Sequence, residues 1–218
     1  MNIFKAYNYL IESNDLGRLK KIFSRYELFK KSLNVPGDIV ECGVFKGTGH
    51  IFWLKLLKIF DEHSIKKVIG FDTFENFSKS ILDFEKKNAK KFTKEAKFKN
   101  NVSINSINKK IGELKLLDRS ELIKGDVIKT APNYAKNNRG FKISLLNLDL
   151  DTYEGTKSVL ESFYKKISRG GIIILDEYGK RGWGETDAVD EFLDNHNELK
   201  IETVKFSSQP TAFIVKKI

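Results

Sequence analysis

Asp38-Ile39-Val40-Glu41-Cys42-Gly43-Val44-Phe45-Lys46-Gly47 begins as a short apolar run, ends that run on an acid, and passes into a turn flanked by two glycines. A buried strand reads this way, and the glycines permit a tight turn and close approach of backbone to a ligand. From about Gly47 to Ile59 the spacing becomes helical, with Ile51, Leu54 and Leu57 on one face. Strand, glycine turn and helix in that order open a parallel α/β sheet.

The rest of the chain repeats the pattern. Lys67 to Asp72 reads as a second strand, Leu122 to Asp126 as a third, Ile143 to Leu148 as a fourth and Ile172 to Leu175 as a fifth. Glu154 to Ile167 is expected to be a helix, stopped by Arg169-Gly170-Gly171 as a glycine cap stops one. A further helix is expected from Asp187 to Asn195. Ile201–Phe206 and Thr211–Val215 flank Ser207-Ser208-Gln209-Pro210, the spacing of an antiparallel hairpin. Residues 2–33 read as helical, with Leu19, Ile22, Phe23, Tyr26 and Phe29 at helical spacing, and Pro36-Gly37 ends them. The expected architecture is an N-terminal helical extension, 1–36, and one α/β domain, 37–218. That domain carries a mostly parallel, doubly wound sheet of seven strands that closes on the hairpin.

Composition narrows the function classes. The chain has 218 residues, 40 % of them hydrophobic and 31 % charged, enough for one buried core. With a single cysteine, Cys42, an internal disulfide framework is excluded, which fits a reducing compartment. No run approaches the roughly 20 apolar residues of a membrane-spanning helix. Met1 to Leu10 lacks a signal-peptide core. A soluble, cytoplasmic protein with no membrane partner is expected. The net charge is +10, but the lysines are spread along the chain without an arginine stripe or an RNA-binding aromatic motif. Nucleic acid is therefore not expected as a partner.

In doubly wound sheets ligands bind at the carboxyl ends of the strands. Each of the five parallel strands expected here ends at or beside an acid. Taken singly, each acid is an ordinary helix cap; five on one edge suggest a site. The first turn is E-x-G-x-x-x-G rather than the dinucleotide G-x-G-x-x-G, and suits S-adenosylmethionine (SAM) better than NAD. Asp72, at the end of the second strand, is placed for ribose hydroxyls, and Asp126, after the third, for an adenine amino group. Asn147-Leu148-Asp149-Leu150-Asp151 and Asp176-Glu177 bring four carboxylates to neighbouring strand ends. Like charges so close require a counter-charge. A hard divalent cation, Mg²⁺ or Ca²⁺, fits their oxygen ligands, and the lack of His and Cys argues against zinc.

Five stretches in order resemble the macrocin O-methyltransferase family. They are Gly37 to Val44, Phe71-Asp72-Thr73-Phe74, Leu148 to Glu154, Gly170 to Gly179, and Ala188-Val189-Asp190-Glu191-Phe192. The resemblance covers roughly Pro36 to Phe192. It implies the Rossmann-like class I methyltransferase fold, with SAM and Mg²⁺ as cofactors and a sugar or glycosylated small molecule as substrate. It implies that Asp149, Asp176 and Glu177 hold the metal and that Asp151 is the general base. SAM would be held by Glu41, Gly43, Gly47, Asp72, Thr73, Asp126 and Val127. In one respect the chain departs from the pattern: Glu177 stands where the family usually has Asp.

Two other readings stay open on sequence alone. A catechol-type metal-dependent O-methyltransferase uses a similar acid set, and a SAM-binding protein without activity would share the fold. The N-terminal helices offer a surface for a homo-oligomer. Glu75 to Asn100, lysine-rich with Phe77, Phe84, Phe92 and Phe98, reads either as a cover over the substrate or as a solvated helix with an apolar stripe. Trp183 reads either as a sugar-stacking platform or as ordinary packing.

Overall fold

The computed structural model describes residues 2–95 and 103–217. Phe98 lies outside them. In chain order the elements are α1 (Ile3–Glu12), α2 (Leu16–Ser32), β1 (Asp38–Cys42), α3 (Thr48–Phe60), β2 (Val68–Asp72), α4 (Lys86–Glu95) and α5 (Ile104–Glu113). Then follow β3 (Ser120–Lys124), α6 (Val127–Asn137), β4 (Ile143–Leu148), α7 (Tyr153–Phe163), β5 (Ile167–Leu175), α8 (Glu185–Asp194), β6 (Ile201–Thr203) and β7 (Ala212–Val215).

One sheet of seven strands runs in the order β3-β2-β1-β4-β5-β7-β6. The first five are parallel, and β7 is antiparallel to both β5 and β6. This is the class I methyltransferase arrangement expected from the sequence. The strand order reverses between β1 and β4, so the crevice for a ligand opens above those two strands. Alternation of side chains along each strand feeds two cores. Val40, Cys42, Leu146 and Leu148 pack toward α6, α7 and α8. Ile39, Leu145, Ile172 and Ile174 pack toward α2 and α3. Leu28 and Phe29 of α2 belong to this second core, so the break at residue 36 divides no core. Helix α1 stands apart, with none of its residues buried.

Three local expectations change. The residues 2–33 form two helices, because Asp15 caps a new one through the Gly17 amide. Helix α7 stops at Phe163, and β5 already starts at Ile167, opposite Ile143. Gly170, at φ 80°, therefore sits in a strand irregularity rather than a helix cap, and its amide donates to the Lys216 carbonyl. The third strand lies two residues earlier than expected, leaving Gly125 and Asp126 in the turn above it.

Helix α6 was not legible because Pro132 interrupts its pattern. Proline removes the donor to the Ile128 carbonyl. The Ser158 hydroxyl of α7 supplies one instead, at 3.3 Å.

Candidate active site

Gly43 follows β1 at φ 98°, a conformation that favours glycine. A β-carbon there would lie 1.8 Å from the Asp149 carbonyl oxygen. The ends of β1 and β4 can close on each other only because that carbon is absent; the Asp149 amide donates to the Cys42 carbonyl at 2.9 Å. Next to this junction opens a cavity of about 310 Å³. It is continuous from Asp72, Thr73, Asp126 and Val127 at one end to Asp149, Asp151 and Glu177 at the other.

At the first end, the Asp72 carboxylate accepts from the Phe45 amide at 2.8 Å and the Phe74 amide at 2.7 Å. Burial raises its pKa against those two bonds. The Thr73 hydroxyl donates to the Asn76 carbonyl. Asp126 caps α6 by accepting from the Ile128 amide at 3.1 Å, and it also accepts from the Ser78 hydroxyl. Asp126 is thus both a helix cap and part of the wall.

Two residues expected to touch SAM lie behind the wall. Glu41 shares the alternation of Ile39 and turns under α3, where it accepts from the Trp53 indole at 3.2 Å. It is 1 % exposed, and burial pushes its carboxyl up to about 8, against the nearby Arg25 guanidinium. Gly47 supports α3 at φ 80°, facing Ile107 rather than the cavity.

The acids at the other end are divided. Asp151 holds φ 64° and its carboxylate accepts no hydrogen bond among the described residues. Burial, then Asp149, Glu177 and Asp176, push its pKa well above the usual carboxylate range. Asp149 and Asp176 face α2 instead. Lys21 Nζ lies 3.3 Å from Asp149 Oδ2 and 3.0 Å from Asp176 Oδ2. Arg25 Nη2 lies 3.0 Å from Asp149 Oδ2. Burial alone would lower Lys21, but Asp149 and Asp176 outweigh it, and its pKa is raised. Asp176 is fully buried beneath the pair and does not line this cavity. Glu177 lines the cavity, but it is paired with Lys180 and accepts from the Gln209 side-chain amide.

Aromatic side chains roof the cavity. Phe77 stacks on Trp183 with centroids 5.7 Å apart, and Phe92 of α4 meets Phe77 at 5.8 Å and Phe45 at 5.6 Å. Over its described residues, 75–95, the lysine-rich segment therefore provides both a solvated helix and part of the cavity wall, while Phe84 stays exposed. Buried Glu85 ties this cover down, accepting from the Tyr153 amide at 2.8 Å and the Gly184 amide at 3.1 Å.

Sequence reasoning missed Lys21 and Arg25. Their signal is two cations four residues apart on the same helix as the apolar Ile22 and Phe29.

The chain is similar to known proteins in sequence and in fold. The family model for macrocin-O-methyltransferase (TylF) matches residues 16–206. The chain is 28 % identical to mycinamicin III 3''-O-methyltransferase of Micromonospora griseorubida, over 80 % of this chain and 67 % of that protein. It is 30 % identical to demethyldecarbamoylnovobiocin O-methyltransferase of Streptomyces niveus, over 73 % of this chain and 59 % of that one. The match thus spans two thirds or less of these relatives' length. The calicheamicin methyltransferase CalS11 superposes with a TM-score of 0.72 at 25 % identity, covering 96 % of this chain and 85 % of that one. The chain belongs to the macrocin O-methyltransferase family.

Proposed function

We propose that the chain transfers the methyl group of SAM to a hydroxyl of a sugar or glycosylated small molecule. The carrying observation is one cavity that joins a cofactor-type strand edge, Gly43, Asp72, Thr73, Asp126 and Val127, to the Asp151 carboxylate, which has no hydrogen-bond partner among the described residues. The named activities of the relatives support the acceptor class: one methylates mycinamicin III, and CalS11 is described as a TDP-rhamnose 3'-O-methyltransferase.

SAM supplies an electrophilic methyl group on a positively charged sulfur. Asp72 suits the ribose hydroxyls, and the turn at Gly43 admits the cofactor against bare backbone. Asp151 takes the acceptor proton as oxygen attacks the methyl carbon, and the electron pair of the broken bond stays on sulfur. Phe77 and Phe92 supply apolar wall, and the cavity walls align oxygen, carbon and sulfur.

The Mg²⁺ expected from the sequence does not fit the acids as they are arranged. Lys21 holds the point between Asp149 and Asp176, and Glu177 is paired with Lys180. Among the described residues no three His, Cys, Asp or Glu side chains come together as a metal site. The steps above therefore use the chain's own groups.

Transfer of labelled methyl from SAM to a panel of nucleotide sugars and glycosides tests the proposal. Label in an acid-stable sugar ether is expected; label only in catechols or in RNA would overturn it.

A further inference from the structure

Two carboxylates, from the residue after β4 and the residue after β5, converge above the sheet. The charge between them comes from one face of α2. Lys21 and Arg25 are one turn apart, so both reach the same edge. Lys21 Nζ bridges Asp149 Oδ2 and Asp176 Oδ2 at 3.3 and 3.0 Å. Arg25 adds a 3.0 Å bond to Asp149 Oδ2 and lies 3.9 Å from Glu41 Oε1. Asp176 is fully buried, while the Lys21 side chain is 21 % exposed and lines the cavity. The Oδ1 atom of Asp176 is buried without a hydrogen bond, and the Arg25 guanidinium lies 4.0 Å from it.

A divalent ion on the same two oxygens would sit about 2.1 Å from each. An ammonium 3 Å away, on the same side of both carboxylates, occupies that position, and two positive charges there would repel in a poorly screened site. Ion and lysine exclude each other.

We propose that Lys21 is the resident cation of the Asp149–Asp176 pair, and that α2 thereby takes the place of a divalent metal. The helix becomes part of the site: its position sets the charge at the acceptor end of the cavity. This goes beyond the methyl-transfer reading and does not depend on which acceptor is used.

Mn²⁺ binding followed by electron paramagnetic resonance tests it without any activity assay. Wild type, Lys21→Met, Lys21→Gln and Lys21→Arg are compared, each first shown to bind S-adenosylhomocysteine. Wild type and Lys21→Arg are expected to take up no Mn²⁺ below about 1 mM. Lys21→Met or Lys21→Gln is expected to bind one Mn²⁺ at least tenfold more tightly, and adding Asp176→Asn should abolish that gain. One Mn²⁺ per chain bound by wild type in the micromolar range would overturn the proposal, whether or not the variants fold. So would folded Lys21→Met and Lys21→Gln proteins with the wild-type response.

Discussion

Asp151 and Glu41 both have raised pKa values, and their surroundings give them different work. Asp151 opens on the cavity with no hydrogen-bond partner among the described residues, so Asp151→Asn should lower turnover by about 10²–10⁴ while S-adenosylhomocysteine affinity stays within about twofold. Steady-state rates on an acceptor from the panel, with calorimetry alongside, check this. Glu41 is sealed among Arg25 of α2, His50 and Trp53 of α3, with Asp149 beyond. Its folded pKa, about 8, lies above the ordinary 4.5, so between those values the folded state holds a proton that the unfolded state has lost. Stability from Glu41 is therefore full below pH 4.5 and falls as pH rises toward 8. Glu41→Gln should flatten the decline between pH 5 and 8 by on the order of 1–3 kcal/mol, read from urea melts. An equal slope in both proteins would contradict it. The sequence marked Glu41 as an acid at a strand end; only the alternation of β1 against α3 decides which face it takes.

At the scale of elements, the parallel strands and the hairpin were legible because each is an apolar run bounded by glycine, proline or acid. Helix α6 was not, since Pro132 hides its periodicity and a hydroxyl from α7 repairs the lost bond. The start of β5 was hidden for a related reason: glycines in a strand irregularity look like a helix cap. The acids of the site were legible one by one, but their counter-charge was not. It comes from a helix more than a hundred residues away in sequence, and only packing brings Lys21 and Arg25 over β4 and β5. Arg25 is nearly buried and faces Asp149, Glu41 and Asp176. Arg25→Met should cost about 3 kcal/mol of stability, the usual loss when one partner of a buried ion pair is removed. Loss below about 1 kcal/mol in denaturant melts would mean that α2 is held by its apolar face alone.

Across the whole molecule, α1 and α2 differ in kind. Helix α1 buries nothing and leaves Ile3, Phe4, Tyr7 and Ile11 exposed, whereas α2 completes a core and the cation pair. Removing residues 1–13 should leave the melting temperature within about 3 °C. Removing residues 1–33 should leave no cooperative unfolding transition. Equal melting of both truncated chains would put α2 outside the folded unit. The account rests above all on the cavity at the switch between β1 and β4 being the SAM site. Calorimetry with S-adenosylhomocysteine, in excess chelator, tests this most directly. The account predicts one site per chain near micromolar affinity, on the order of −8 kcal/mol, weakened about tenfold or more by Asp72→Ala. No heat of binding at millimolar ligand, or full affinity in the Asp72→Ala protein, would contradict it.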